Sequence, residues 1–303
     1  MMENTAFQRK IADFLPNIEL KMNEPLSKHT SFRIGGGAEV MAFPKDAESL
    51  SCLLKTARDL GVEPVILGAG TNVLAPDEGL SGLVICLKDS LVGMQQLSDT
   101  SIRVYAGVSM ARAANFAASL SLSGLEFAHG IPGTVGGGVY MNAGAYGGEI
   151  CQVCTQVAVM DMDGNQQLLS NEEMGFSYRN SRIQGENRIV LFADFQLQPQ
   201  PEVVIRAKMQ ELMAKRRASQ PLDLPSAGSA FKRPATGYAA AMIDAAGLKG
   251  FHIGDAAVSE KHAGFVVNLG NATAADVRAL LNAVADRVEQ IHGVRLEPEV
   301  RIW

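Results

Sequence analysis

Apolar positions recur along the first third of the chain in two alternating rhythms. The run Val40-Met41-Ala42-Phe43, ended by Pro44, has the length of a short strand. Asp46 then opens a helix that brings Leu50, Leu53, Leu54 and Ala57 onto one face, with Gly61 at the position where helices turn left-handed and stop. Val65-Ile66-Leu67 and Leu83–Leu87 are unbroken apolar runs, short enough for buried strands. Strands resume at Arg103–Ala106, and Ser109 starts an alanine-rich helix.

A glycine-rich stretch runs from Gly124 to Gly148. Beyond it, Asp163-Gly164 separates Val157–Met162 from Gln166–Leu169, which predicts a hairpin, and Arg188–Leu197 is a further strand. After Gln198-Pro199-Gln200-Pro201 the pattern changes. A helix with Ile205, Met209, Leu212 and Met213 on one face ends in Lys215-Arg216-Arg217, basic charge that suits its carbonyl end. A Pro/Ser/Gly segment, Gln220–Pro234, follows. Thr273 and Asp276 form a capping-box pattern ahead of a helix that buries Val277, Leu280, Leu281, Val284, Val288 and Ile291, stopped by Gly293. The pattern predicts an α+β protein with mixed sheets and a boundary near residues 198–201.

The chain has 303 residues, 47% of them hydrophobic, enough for two or three domains. A net charge of −5 argues against a general nucleic-acid binder, which needs a basic field. Met1-Met2-Glu3-Asn4-Thr5 lacks the basic-then-apolar run of a secretion signal, and no apolar stretch approaches the ~20 residues that span a bilayer. Four cysteines are too few for a disulfide scaffold of this length, so a cytoplasmic protein is expected. Cys151-Gln152-Val153-Cys154 is a C-x-x-C, but the residues after it predict a strand where a redox pair needs a helix, and no matching ligands suggest a metal site.

Two glycine clusters carry the candidate chemistry. Gly68-Ala69-Gly70-Thr71-Asn72-Val73 follows a strand, but the third glycine of a dinucleotide-binding unit is missing and Ala75–Gly82 is turn chemistry where a helix is required. The second is Gly130-Ile131-Pro132-Gly133-Thr134-Val135-Gly136-Gly137-Gly138. Glycines there let backbone N–H groups approach an anion such as a pyrophosphate, and Thr134 adds a hydroxyl at a helix start; tight backbone packing is the competing use.

Together these clusters resemble the two flavin-binding segments of the UDP-N-acetylenolpyruvoylglucosamine reductase (MurB) family. Thr30-Ser31-Phe32-Arg33-Ile34-Gly35-Gly36 resembles its N-terminal signature, and Asn142–Gly147 continues the second loop. Tyr178-Arg179-Asn180-Ser181, Ala227–Pro234, Val258–Phe265 and Leu296–Arg301 fit as well, in the same order. The resemblance implies a PCMH-type (vanillyl-alcohol-oxidase-type) FAD fold of two subdomains, residues 1–87 and 88–200, and an α+β substrate domain, residues 201–303. It implies non-covalent FAD held by Arg33, Gly68, Ala69, Gly70, Thr71, Asn72, Val73, Gly130, Ile131, Pro132, Gly133, Thr134, Val135, Gly137, Ala143 and Gly144. His129, beside the loop, reads as structural and not as a covalent flavin anchor.

The implied reaction is reduction of an enolpyruvyl UDP-sugar by NADPH, in two half-reactions, with hydride passing from the flavin N5. Hydride at the terminal carbon builds negative charge beside the substrate carboxylate, so the site needs a cation there and a proton source for the next carbon. The resemblance assigns these roles to Arg179 and Ser229, and an orienting role to Glu299 in a final strand, with Glu297 as the competing acid. Tyr178, Lys232, Arg233 and Lys261 are the implied substrate-binding residues, while His262 is open between a site and a structural role. The short link from Arg179 to the strand at Arg188 resembles the compact branch of the family, without the extra lid segment. No metal, nucleic acid, membrane or obligatory protein partner is expected. Rival readings are a flavin oxidase on the same fold and a non-catalytic nucleotide-binding module.

Overall fold

The computed structural model describes residues 6–15 and 17–303; Met1–Thr5, on which the expectation about a secretion signal rests, lie outside them. The chain forms two compact units, each stitched from separate segments. The first comprises residues 1–22, 39–69 and 82–215, the second 23–38, 70–81 and 216–303.

The first unit carries a four-stranded sheet ordered Glu19–Pro25, Gly37–Phe43, Leu80–Cys86, Val65–Leu67. The last two strands run parallel. The helix Ala47–Asp59, which links Gly37–Phe43 to Val65–Leu67, starts in a capping box: the Asp46 carboxylate accepts from the Ser49 N–H at 2.7 Å. It buries Leu50, Leu53, Leu54 and Ala57 as the 3.6-residue pattern dictates. A five-stranded antiparallel sheet follows, ordered Gln166–Ser170, Cys154–Met160, Ile189–Gln196, Ser101–Tyr105, Met94–Ser98. Its predicted hairpin turns where the Asp161 carboxylate accepts from the N–H groups of Asp163 and Asn165, both at 2.9 Å, and Gly164 takes φ +83°. Helix Met110–Ser119 is capped by Ser109.

The helix Glu202–Ser219 begins just after the proline-rich segment, yet Ile205 and Met209 pack into the core of the first unit. In this part of the chain the packing units change over at residue 216. A bound apolar face outweighs the composition shift that suggested the earlier boundary. The three ligand-based domains expected from sequence and these two packing units divide the chain along different lines.

The second unit has its own core. Phe32, Ile34 and Leu74, from the early segments, pack with Phe231, Ile243, Val266 and the face of the helix Ala274–His292. That helix has the predicted capping box, Thr273 Oγ1 accepting from the Asp276 N–H at 3.0 Å, and stops at Gly293 in the left-handed conformation. Ile291, expected in the buried face, is 45% exposed, because the last turn runs past the core. An antiparallel sheet ordered Ser226–Ser229, Phe265–Asn268, Ala256–Val258, His252–Ile253 completes the unit. The chain closes on Arg301–Ile302, which pairs in parallel with Val73–Leu74. Among the described residues no helix is long and apolar enough to cross a membrane.

Candidate active site

In the first unit the start of the first glycine loop, Gly68, meets the second loop at Thr134. The strand Val65–Leu67 ends at Gly68, and a Cβ added to Gly68 would lie 2.9 Å from the Thr134 hydroxyl oxygen. Thr134 is buried and caps the six-residue helix Val135–Tyr140, accepting from the Gly137 N–H at 3.3 Å. So short a helix contributes little dipole; its Thr134 hydroxyl and bare glycine backbone are the useful features.

The glycines divide by task. A Cβ on Gly136 would fall 2.8 Å from the Ala106 Cβ, and one on Gly138 2.8 Å from the Met110 sulfur, so both serve packing. A Cβ on Gly137 would have only the Thr134 hydroxyl near it, at 3.5 Å. Gly68 and Gly137 thus flank one hydroxyl with backbone that carries no side chain of its own, a surface of the kind that a phosphate anion can approach closely. Gly133, at φ +141°, turns the chain into the helix, and its carbonyl accepts from the Met110 N–H at 3.0 Å. Ala143 donates its N–H to the Gly138 carbonyl at 2.7 Å, which folds the rest of the loop back on the helix. No Rossmann helix follows Gly70; the next element is the two-residue strand Val73–Leu74.

Tyr178 and Arg179 form the tip of a tight turn in this unit, closed by reciprocal Ser177–Asn180 backbone hydrogen bonds of 3.0 and 3.1 Å. Arg179 sits at φ +55°, its guanidinium 5.0 Å from the Tyr178 ring centroid and its Nη2 donating to the Gly144 carbonyl at 3.4 Å. From this turn the chain passes through a single short helical turn, Arg182–Gln184, to the strand Ile189–Gln196, with no lid segment between them.

His129 has its pKa pushed down by burial and then by the Arg206 charge. The Cys151 and Cys154 thiols are free, and burial pushes Cys154 up to about 12, so it stays a thiol at neutral pH. The strand Cys154–Met160 begins at the second cysteine, as the pattern requires. Among the described residues no group of three or more His, Cys, Asp or Glu is placed to hold a metal.

In the second unit Ser229 and Glu299 are brought together by backbone. The Glu299 N–H donates to the Ala230 carbonyl at 2.9 Å, next to Ser229, and the Lys232 N–H donates to the Glu297 carbonyl at 2.9 Å. Glu299 lies just before the closing strand rather than in it, because pairing with Val73 starts only at Arg301. Asn72, from the first glycine loop, reaches this cluster: its amide donates to the Glu299 carbonyl at 3.2 Å, and its own carbonyl accepts from the Arg301 N–H at 3.0 Å. Gly70, at φ +60°, lies so close to the His29 carbonyl that a Cβ would come within 2.1 Å of it. The Ser31 N–H donates to the Gly70 carbonyl at 3.0 Å, and the exposed Arg33 follows at φ +57°.

The basic residues nearby have protein partners. Lys232 pairs with Glu297 at 3.2 Å, which occupies the acid that competed with Glu299. The Arg233 guanidinium stacks 4.4 Å from the Tyr238 ring centroid, and Lys261 Nζ donates to the Arg217 carbonyl at 2.6 Å. His262 Nδ1 accepts from the Gly264 N–H at 3.1 Å, and its ring meets Phe265 edge-on at 5.0 Å. An accepting Nδ1 and burial both favour the neutral ring of His262. Asn72 as a support for Glu299 was not legible in the sequence, because the two lie 227 positions apart.

Comparison with known proteins agrees with this architecture. The sequence profile described as "FAD binding domain" matches residues 38–170, and that described as "UDP-N-acetylenolpyruvoylglucosamine reductase, C-terminal domain" matches residues 220–303. The FAD-binding match supports the expected PCMH-type fold. A UDP-N-acetylenolpyruvoylglucosamine reductase from Syntrophomonas wolfei is 44% identical over 97% of this chain and 98% of its own. One from Caldanaerobacter subterraneus subsp. tengcongensis is 45% identical over 97% and 96% respectively. The crystal structure of UDP-N-acetylenolpyruvylglucosamine reductase (MurB) from Thermus caldophilus superposes with a TM-score of 0.78 at 34% identity, covering 95% of this chain and 99% of that one. With its glycine loops, its Ser229–Glu299 cluster and near-full-length similarity to these relatives, this chain belongs to the UDP-N-acetylenolpyruvoylglucosamine reductase family.

Proposed function

We propose that this protein is an NADPH-dependent UDP-N-acetylmuramate dehydrogenase, reducing UDP-N-acetylglucosamine enolpyruvate in peptidoglycan precursor synthesis. The observation that carries the reading, within a chain of this family, is the backbone link that sets Ser229 beside Glu299. Bound FAD supplies a two-electron carrier between NADPH and the enolpyruvyl group. Arg33, Gly68–Val73, Gly130–Val135, Gly137, Ala143 and Gly144 are the residues proposed to hold it.

The chain's own groups handle charge and protons. Once hydride has added to the terminal carbon of the enolpyruvyl group, negative charge collects on the next carbon and the carboxylate. The planar guanidinium of Arg179 suits that carboxylate and can bind it through two parallel hydrogen bonds. The Ser229 hydroxyl then gives its proton to the carbon. A hydroxyl is a weak acid in water, so its proton moves only where the acceptor is a carbanion and a carboxylate such as Glu299 organises its surroundings. Tyr178, Lys232, Arg233 and Lys261 are proposed to bind the substrate, with Lys232 exchanging its Glu297 partner for phosphate oxygens. Residues 1–87 and 88–200 serve FAD in this reading and 201–303 the UDP-sugar, in the cytoplasm.

Stopped-flow absorbance of the flavin tests this. NADPH added without oxygen is expected to bleach the flavin band, and the enolpyruvyl sugar to restore it. Ser229→Ala is expected to keep the bleaching and slow the recovery ~10²-fold or more. Equal slowing of both halves rejects the proton-donor role, and recovery only in air replaces the reductase with an oxidase.

A further inference from the structure

Arg179 occupies a backbone conformation that residues with side chains seldom adopt, at the tip of a two-residue turn. Something must hold it there. Two hydrogen bonds join this turn directly to the segment Tyr140–Gly144, and Ser181 and Gln184, just beyond it, add two more to the Tyr140 carbonyl. Asn142, 1% exposed and itself at φ +42°, donates through Nδ2 to the Ser177 carbonyl at 3.0 Å and to Glu149 Oε2 at 3.1 Å. Its Oδ1 accepts from the Cys151 N–H at 3.0 Å, so the amide uses both of its hydrogens and its oxygen. Gln184 Nε2 bridges the Tyr140 carbonyl at 2.7 Å and the carbonyl of Arg179 itself at 3.2 Å. Ser181 adds a hydroxyl bond to the same Tyr140 carbonyl at 2.7 Å, and Arg179 Nη2 reaches the Gly144 carbonyl.

We propose that Asn142 and Gln184 are positioning residues for Arg179. They hold the strained turn against the second glycine loop so that the guanidinium is presented without a search over backbone conformations. An arginine has many rotamers; fixing its backbone removes part of the entropy that ordering it on a carboxylate otherwise costs. The proposal rests on the reading of Arg179 as the partner of the substrate carboxylate, and the test separates the two.

Flavin reoxidation by the enolpyruvyl sugar is measured in the full-length, flavin-loaded protein for Gln184→Met, Arg179→Ala and the double variant. Gln184 is half-buried, and methionine keeps its length while removing the donors. Gln184→Met alone is expected to slow reoxidation about tenfold, and by less than about twofold when Arg179 is already alanine, because a positioning group has nothing left to position. NADPH-driven bleaching is expected to stay within about twofold of the wild type in Gln184→Met. Asn142→Asp, which keeps the shape and the acceptor but loses the donors, should repeat this non-additivity; if it does not fold, Gln184→Met carries the test alone. A Gln184→Met effect that persists in full in the Arg179→Ala background, or no effect in either background, overturns the proposal while Arg179 keeps its role. Wild-type reoxidation by Arg179→Ala removes the reading of Arg179 and the proposal with it.

Discussion

At the scale of single residues, environment decides which polar groups are chemical and which are scaffolding. His262 was ambiguous in the sequence, since an imidazole in a loop serves a site or a core equally well. Its ring nitrogen accepts a backbone N–H and burial lowers its pKa below the ordinary 6.5. The neutral ring is the folded form, so the unfolded chain takes up the proton first as pH falls. Its contribution to stability is present above about pH 6.5 and is lost as pH drops through the lower folded-state value. Melting temperature is therefore expected to fall between pH 7.5 and 5.5, with a shallower slope in His262→Gln. A slope unchanged by the substitution would assign the acid sensitivity elsewhere, His129 being the next buried imidazole.

At the scale of elements, local rules were legible wherever one residue acts on its near neighbours. The capping boxes at Asp46 and Thr273, the Ser109 and Thr134 caps and the left-handed stop at Gly293 all formed as their spacing dictates. The glycine run Gly136-Gly137-Gly138 was legible as special, but the division of labour within it was not. Packing against Ala106, just after the strand Ser101–Tyr105, and Met110, of the helix Met110–Ser119, sets it. Gly136→Ala is expected to destabilise the protein by on the order of 1–3 kcal/mol, through a clash its neighbours cannot avoid. Gly137→Ala is expected to leave the melting curve almost unchanged while lowering the flavin-to-protein absorbance ratio of the purified protein. Equal destabilisation by both would show that Gly137 is a packing glycine too.

At the scale of the whole molecule, the packing units follow other lines than the boundary expected near residues 198–201. Composition shifts at 198–201, yet the next helix gives Ile205 and Met209 to the first core. The second core takes Phe32, Ile34 and Leu74 from segments that precede it by well over a hundred residues. A fragment of residues 201–303 lacks these three side chains, and the Arg301–Ile302 strand loses its partner Val73–Leu74. The fragment is expected to be unfolded by circular dichroism and amide hydrogen exchange, although a family profile spans most of it. A cooperatively folded fragment would mean that the early segments are dispensable for the core.

The sequence by itself determined the helices that open at Asp46, Ser109 and Thr273, the hairpin, the two glycine loops and, through seven motifs in order, the family; the helices Ala6–Phe14 and Ala239–Ala245 carried no such signal. The legible features depend on period, caps and turn residues, which act within a few positions of each other. Tertiary structure alone decided that Asn72 supports Glu299, that Asn142 and Gln184 grip the Arg179 turn, and that the early segments belong to the second core. Such contacts join residues whose separation along the chain carries no period. Nothing in one linear pattern marks them, and only the closed packing of each unit brings the partners within hydrogen-bond reach.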